Sequence, residues 1–391
     1  MLLFLLIIIT KLIEWKVVFC NRNLSTQITI PYTARRDELK IKLYLGNQDQ
    51  HAYLNIDIGG KFPLISKTLY QKSISNQSTL LRNETINIDG IKLDSQVISD
   101  KVSVKENEYY SFLSFYVADI DFRSSLNLLP LSYKYNDINF SLIHSYKKDH
   151  ILSYASFTIK SDKNIFLGLQ TDELDRKKMK YKGKCDVDKN RSFWGCHFKG
   201  IKSNNQYYKD NEYVSFSTTI HMIAVPESIM KFLFYSVFEE YIKKDICSYN
   251  VYNKPKASSF SCMCNLINES FPNISLFFDD YEFIISYPDL FERIYNSCIF
   301  IFKYDSTLSS DYTIGLNFIY HYLTKFDYED NTISFYSDAH EIIRHSTRDE
   351  IIYPVCVLYF IISLILISGV FYLSLYKYFT NKKENSNTIN I

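Results

Sequence analysis

The residues able to do chemistry are few and scattered. Asp57-Ile58-Gly59-Gly60 sets a carboxylate ahead of two glycines. On its own that is a common turn and carries no chemistry. His340 and His345 flank Glu341 in HEIIRH, which has one residue more between its histidines than the zinc-peptidase signature. Five positions apart on a helix they stand about 140° around the axis, so they cannot share one metal in the usual way. Six cysteines, Cys185, Cys196, Cys247, Cys262, Cys264 and Cys298, lie between the chain ends. An even number in an oxidising compartment predicts three disulfides, and spacing leaves their connectivity open. Cys262-Met263-Cys264 is CxC without a second pair at finger spacing, which argues against zinc. The glycine loops GxGxxG and GxxxxGK(S/T) and the nucleophile elbow GxSxG are absent. No cofactor and no metal are expected, and nothing interleaves basic and aromatic residues for nucleic acid.

The elements that must position these residues read mostly as strands. Tyr 33 and Phe 29 are many and Gly 10 is few, a bias toward pleated, half-buried surfaces. Short apolar or alternating runs such as KIKLYLG, AYLNIDI, SFLSFYVADI, KNIFLGL and SCIFIFKYD are broken by polar turns. The clearest helix is PESIMKFLFYSVFEEYIKKD, with Pro226 at its start and apolar residues three or four apart. The 391 residues, 47% hydrophobic, can bury a sizeable core and suggest two or three domains. A net charge of +1, from 44 basic and 43 acidic residues, points to no polyanionic partner.

The two ends place the chain. Residues 2–10 are a short apolar run followed by Lys11, Glu14 and Lys16, predicting a signal peptide over 1–22. Residues 351–376 carry no charge, with Tyr353, Tyr372 and Tyr376 at interface positions and Lys377, Lys382 and Lys383 directly after. That predicts one C-terminal transmembrane helix, a juxtamembrane stretch at 338–350 and a cytoplasmic tail at 377–391. The expected protein is a single-pass type I membrane protein of the secretory pathway or cell surface. Asn23, Asn76, Asn83, Asn139, Asn190, Asn268 and Asn273 each begin an Asn-X-Ser/Thr sequon, which that compartment can glycosylate.

Several segments, in order, resemble the pepsin-like aspartic peptidases. GNQDQHAYLNIDIGGKFPLIS is similar to the family's first active-site segment: Gly46 falls on its turn glycine, Gln50 on its Gln, Asp57 on its catalytic aspartate. YTIGLNFIYHYLTKFDYEDNTISFY resembles the closing segment without a gap. Ile314 and Gly315 keep the loop, Phe318 and Tyr322 the packing, and Phe326, Asp327, Ile333 and Phe335 the last strands, with Leu316 where the family has Asp. INIDGIKLDSQVISDKVSV resembles the flap hairpin and the strand after it, FTIKSDKNIFLGLQTDEL a strand pair, and Trp194 stands on the Trp between the lobes.

The resemblance implies an all-β, bilobal pepsin-like fold. Its N-terminal lobe would span 38–180, an interlobe segment 181–199 and the C-terminal lobe 200–337. Cys185 and Cys196 bracket the interlobe strands, and a bridge between them is the first guess. The family cleaves peptides with two aspartates, one per lobe, sharing one proton. Asp57 supplies the first. The second belongs nine residues before Pro226, where Ser217 stands, followed by Thr218 and Thr219. Ile88 replaces the flap Tyr, Asp89 and Ile91 surround the one kept flap glycine, Gly90, Ile58 replaces the first Thr, and Pro130 a loop glycine. Together these departures imply a catalytically inactive homologue that binds a peptide or protein in its cleft. Two readings stay open beside it. One is a working aspartic endopeptidase recruiting another acid, with Asp210 or Glu212 the nearby candidates. The other is a surface adhesion or structural protein.

Overall fold

Alternation sets the strands. In Glu38–Leu45, Leu39, Ile41, Leu43 and Leu45 are buried, while Lys40, Lys42 and Tyr44 stay partly exposed. The partner Gln50–Asp57 buries Ala52, Leu54 and Ile56 and pairs Leu43 with Ala52 and Ile41 with Leu54. The apolar side chains of both strands therefore meet on one face. Each fully buried Leu or Ile among them contributes about 1.5–3 kcal/mol.

The computed structural model describes residues 27–337 apart from 36–37, 47–49, 61, 71–75, 89–90, 107, 121–126, 135–137, 161–162, 171–173, 175–179, 254–255, 269, 288 and 307–311. The expected signal peptide (1–22), juxtamembrane stretch, membrane helix (351–376) and tail lie outside the described residues, as do HEIIRH, Asp89 and Gly90. Among the described residues no helix is long and apolar enough to cross a membrane.

Among the described residues the fold is mostly β with few helices, in sheets of 13 and 10 strands, consistent with the bilobal pepsin-like architecture. One end of the larger sheet is an antiparallel layer of Lys180–Asp186, Thr332–Ser337, Leu323–Asp327, Ser156–Lys160, Asn164–Leu167 and Ile28–Arg35. It joins the beginning, middle and end of the described chain. Trp194, 0% exposed, packs near this layer against Tyr133, Phe326 and Tyr328 and donates its indole N–H to the Leu131 carbonyl at 2.7 Å. Within the layer Lys325 and Asp327 are 0% and 1% exposed and pair at 2.7 Å. Asp327 also accepts from the Tyr154 hydroxyl at 2.9 Å and from the Glu329 and Asp330 N–H groups at 3.1 Å each. These donors offset the cost of burying its charge.

Each half of the chain contains the same crossing. In the first, Gln50–Asp57 runs parallel to Leu128–Pro130, and Leu64–Ser66 pairs parallel with Ser111–Ala118 and antiparallel with Leu128–Pro130. In the second, Gln206–Phe216 runs parallel to Thr313–Ile314. Ile223–Ala224 pairs parallel with Ser297–Asp305 and antiparallel with Thr313–Ile314. The bonds repeat too: Asn55 N–H donates to the Asn127 carbonyl at 2.8 Å, and Ser215 N–H to the Tyr312 carbonyl at 3.2 Å.

Two helical segments differ from the sequence reading. The helix after Pro226 is not continuous: Glu227–Leu233 passes into a π-turn, Phe234–Phe238, then Glu239–Lys243. The i→i+5 turn keeps Phe238 in the core, 4.0 Å from the Phe260 ring, and leaves Tyr235 68% exposed. The expected glycine loop of the closing segment leads into a short helix, Leu316–His321, with Gly315 as its N-cap. A Cβ on Gly315 would lie 2.7 and 2.8 Å from the Ile220 and His221 carbonyl oxygens and closer still to that of Met222. Only glycine fits that crossing.

Three disulfides form: Cys185–Cys196, Cys247–Cys262 and Cys264–Cys298. The first ties Lys180–Asp186 to Gly195–Ser203 across the two sheets. In the second sheet Cys262 stands opposite Cys247 on one neighbouring strand and Cys298 on the other.

Candidate functional site

The two crossings end in two loops. Asp57 closes the strand Gln50–Asp57 and is half-buried, and its Oδ1 accepts the Gly59 N–H at 2.9 Å. A Cβ on Gly60 would sit 2.8 Å from Asp57 Oδ2, so this glycine makes room for the carboxylate. Ser217 follows the strand Gln206–Phe216, and its Oγ accepts the Thr219 N–H at 3.1 Å. Both loops therefore use one turn, in which a side-chain oxygen caps the N–H two residues on. Ser217 Oγ also lies 2.8 Å from Thr219 Oγ1.

Thr218 joins the loops. It is 1% exposed, its hydroxyl donates to the Ile56 carbonyl at 2.6 Å, and it accepts the Ile58 N–H at 3.3 Å. The structure thus brings the segment before Pro226 to the Asp57 loop, 160 residues away in sequence. The reciprocal brace is missing because Ile58, 0% exposed, has no hydroxyl to give. Sequence reasoning noted that loss and passed over what Thr218 keeps. The signal was present, since Thr218 is the one residue of Ser-Thr-Thr that matches the family's type.

Position 217 is therefore the topological counterpart of Asp57, and it carries a hydroxyl. A serine hydroxyl stays protonated in the ordinary pH range, so it cannot share a proton with a carboxylate or exchange acid and base roles with it. The alternative acids lie elsewhere. Asp210 and Glu212 sit five to seven residues up the strand from 217, roughly 16–23 Å at strand rise. Asp210 accepts a hydrogen bond from the Tyr312 phenol, which burial first and then Asp210 push upward. Glu212 is exposed, opposite Phe198 in the ladder. Both stand back along that strand from the loop that carries position 217.

Thr79–Ile88 and Ile91–Ser103 form the hairpin that the resemblance assigns to the flap, with Ile88 paired to Ile91 at its end. Ile88 packs with Phe62 and Leu93 against the cluster of Leu64, Ile86, Val97 and Tyr116. An apolar contact thus stands where the resemblance would place a phenol. Below it Arg82 pairs with Glu84 at 2.9 Å and holds that exposed carboxyl below its usual range, while the Tyr116 hydroxyl donates to Glu84 at 3.1 Å. Pro130 ends the strand beside Asp57, and Leu131 N–H donates to the Asp57 carbonyl at 2.9 Å. Among the described residues no group of three or more His, Cys, Asp or Glu is arranged to hold a metal.

Residues 164–337 match the family model described as eukaryotic aspartyl protease. The match takes in Ser217, Pro226 and Gly315 and begins after Asp57, whose assignment rests on the repeated crossing. No curated protein matches the chain.

Proposed function

We propose, from the premise that residues 164–337 belong to the pepsin-like aspartyl protease family, that this chain is a catalytically silent, membrane-anchored homologue that binds a peptide or protein segment in the cleft between its two loops. The observation that carries the reading is the Thr218 brace, which ties the loop of Ser217 to the loop of Asp57. The family's reaction needs one carboxylate to activate water and one carboxylic acid to polarise the scissile carbonyl, and the two exchange roles. Position 217 offers neither form. Thr219 adds a side chain where that loop favours glycine. The two strand crossings and the Thr79–Ile88/Ile91–Ser103 hairpin support a cleft that binds an extended peptide without hydrolysing it.

A lumenal or extracellular setting is supported by three disulfides and by the sequons. Asn76, Asn83, Asn139, Asn190, Asn268 and Asn273 are all exposed, so each is available to carry a glycan. The uncharged run 351–376 with lysines after it supports a type I anchor with a cytoplasmic tail.

The test is cleavage of a quenched fluorescent peptide library by the purified full chain at acidic pH, with and without a transition-state-mimic inhibitor. The expected result is no inhibitor-sensitive cleavage, and its gain in Ser217→Asp with Thr219→Gly. One observation favours a working endopeptidase, namely that Asp57 keeps its glycine turn. Inhibitor-sensitive cleavage abolished by Asp57→Asn would establish that second reading and end the first.

A further inference from the structure

A groove of about 320 Å³ opens on the C-terminal sheet, and none of its lining residues belongs to the two loops. Its walls are the helix Glu227–Leu233 with the π-turn Phe234–Phe238 on one side and the hairpin Cys247–Asn253/Lys256–Met263 on the other. The interior is apolar and aromatic. Phe234 and Tyr249 meet edge to face at 5.8 Å between ring centroids, and the Tyr249 hydroxyl is tied to Ser258 Oγ at 3.0 Å. Tyr235 and Val251 stand at the mouth, 68% and 58% exposed.

Three features give this groove an occupant. First, both aromatics on its helical side begin a π-turn, a rare geometry concentrated at functional sites. Within the turn Tyr235 stands in water. Second, the rim is cationic. Lys231 and Lys256 share one counter-ion, Glu227, at 3.3 and 2.5 Å, and Lys256 also lies over the Tyr304 ring. Each ammonium has three donors, so donors remain for an arriving carboxylate. Third, among the described residues Cys247–Asn253 is the outermost strand of its sheet and is laddered only to Lys256–Met263. An outer strand accepts an extended backbone by adding it as a further strand. Tyr249 and Val251 alternate along this strand toward the groove. A small molecule would use the pocket alone, whereas a peptide uses pocket, cations and strand edge together.

We propose that this groove docks an acidic peptide segment of a partner protein. One aromatic or large apolar side chain enters between Tyr235, Phe234 and Val251. Flanking carboxylates meet Lys231 and Lys256, and the backbone adds beside Cys247–Asn253. The site is independent of the cleft reading.

The test uses fluorescein-labelled acetyl-Asp-Glu-Phe-Glu-Asp-amide, its Lys/Arg counterpart and its Phe-to-Ala counterpart, titrated against the full chain by fluorescence anisotropy. The acidic Phe peptide should bind saturably, more weakly as salt rises, and at least about tenfold more tightly than either counterpart. Tyr235→Ala should weaken it by about tenfold or more, the usual consequence of truncating an aromatic anchor. Lys231→Glu with Lys256→Glu, at two exposed positions, should abolish binding and serves if Tyr235→Ala does not fold. Asp57→Ala should leave binding unchanged. The proposal falls if the basic peptide binds equally, if no saturable binding occurs, or if both groove variants bind as the natural chain does. It also falls if Asp57→Ala abolishes binding. A Tyr235→Ala change in sedimentation without peptide would identify the occupant as a second copy of the chain and overturn it as well.

Discussion

Replacing Thr218 by Val tests the brace on which the site geometry depends. The change keeps the shape of a side chain that is 1% exposed and removes its hydroxyl. Two backbone groups then lose a partner: the Ile56 carbonyl, bonded at 2.6 Å, and the Ile58 N–H, at 3.3 Å. Leaving a buried polar group unsatisfied costs about 1–3 kcal/mol, the short bond toward the top of that range and the long one toward the bottom. The sum is a loss of about 2–4 kcal/mol. A folded body of about 310 residues unfolds with an entropy of roughly 0.65 kcal/mol/K, so Tm should fall by about 3–6 °C. Thr218→Ser keeps the hydroxyl and should cost under about 1 kcal/mol. The assay is thermal unfolding of the natural chain and both variants in one buffer. If Val and Ser variants unfold together, the hydroxyl is not holding the loops and the pairing of 217 with 57 loses its support.

Three further outcomes follow from buried groups. In the helix Leu142–Lys148, burial holds the half-buried His144 imidazole below its ordinary value of 6.5. The unfolded chain therefore takes up a proton near pH 6.5 that the folded chain refuses, so stability should fall as pH drops through that value. His144→Gln should shrink the Tm difference between roughly pH 7 and pH 5. Lys325→Met strands Asp327 in the interior and should cost about 3–5 kcal/mol in denaturant unfolding, while Lys325→Met with Asp327→Leu should recover a large part of it. Gly315→Ala drives a Cβ into three backbone carbonyls that cannot give way. It should lower the yield of folded protein far more than Gly59→Ala, whose Cβ meets Asp57 Oδ1 at an ordinary 3.5 Å, as read by soluble expression and circular dichroism.

Much of the site is legible in residue types because each type answers a geometric demand. Gly315 marks a backbone crossing, Trp194 a buried ring with one N–H to satisfy, and the alternation of Leu39, Ile41 and Leu43 a one-sided strand. Ser217 is found by counting back from Pro226. Other features are set by tertiary contacts and leave no such mark. The apolar spacing after Pro226 fits a continuous helix, and only the stacking of Phe238 on Phe260 shows why the chain inserts a π-turn. Lys325 and Asp327 look like the polar positions of a half-exposed strand, yet Tyr154 and the turn at 329–330 close over them. The groove beside Tyr235 draws on residues from 227 to 304, brought together only by the sheet.

The register around Cys262 governs how this domain can oxidise. Cys298 stands across from Cys262, but its mature partner is Cys264, two residues on, in the turn just past the strand's end at Met263. A nascent chain that first joined 262 to 298 would leave the thiols of 247 and 264 adjacent to the misjoined pair. The thiolate of 264 could then attack the sulfur of 298, expel 262 as a thiolate, and free it for bridging to 247. That exchange moves a bond without net electron transfer. The CxC spacing thus supplies an internal corrector, and Cys264→Ser should trap a fraction of molecules in the wrong linkage, visible as a distinct peptide after proteolysis without reduction.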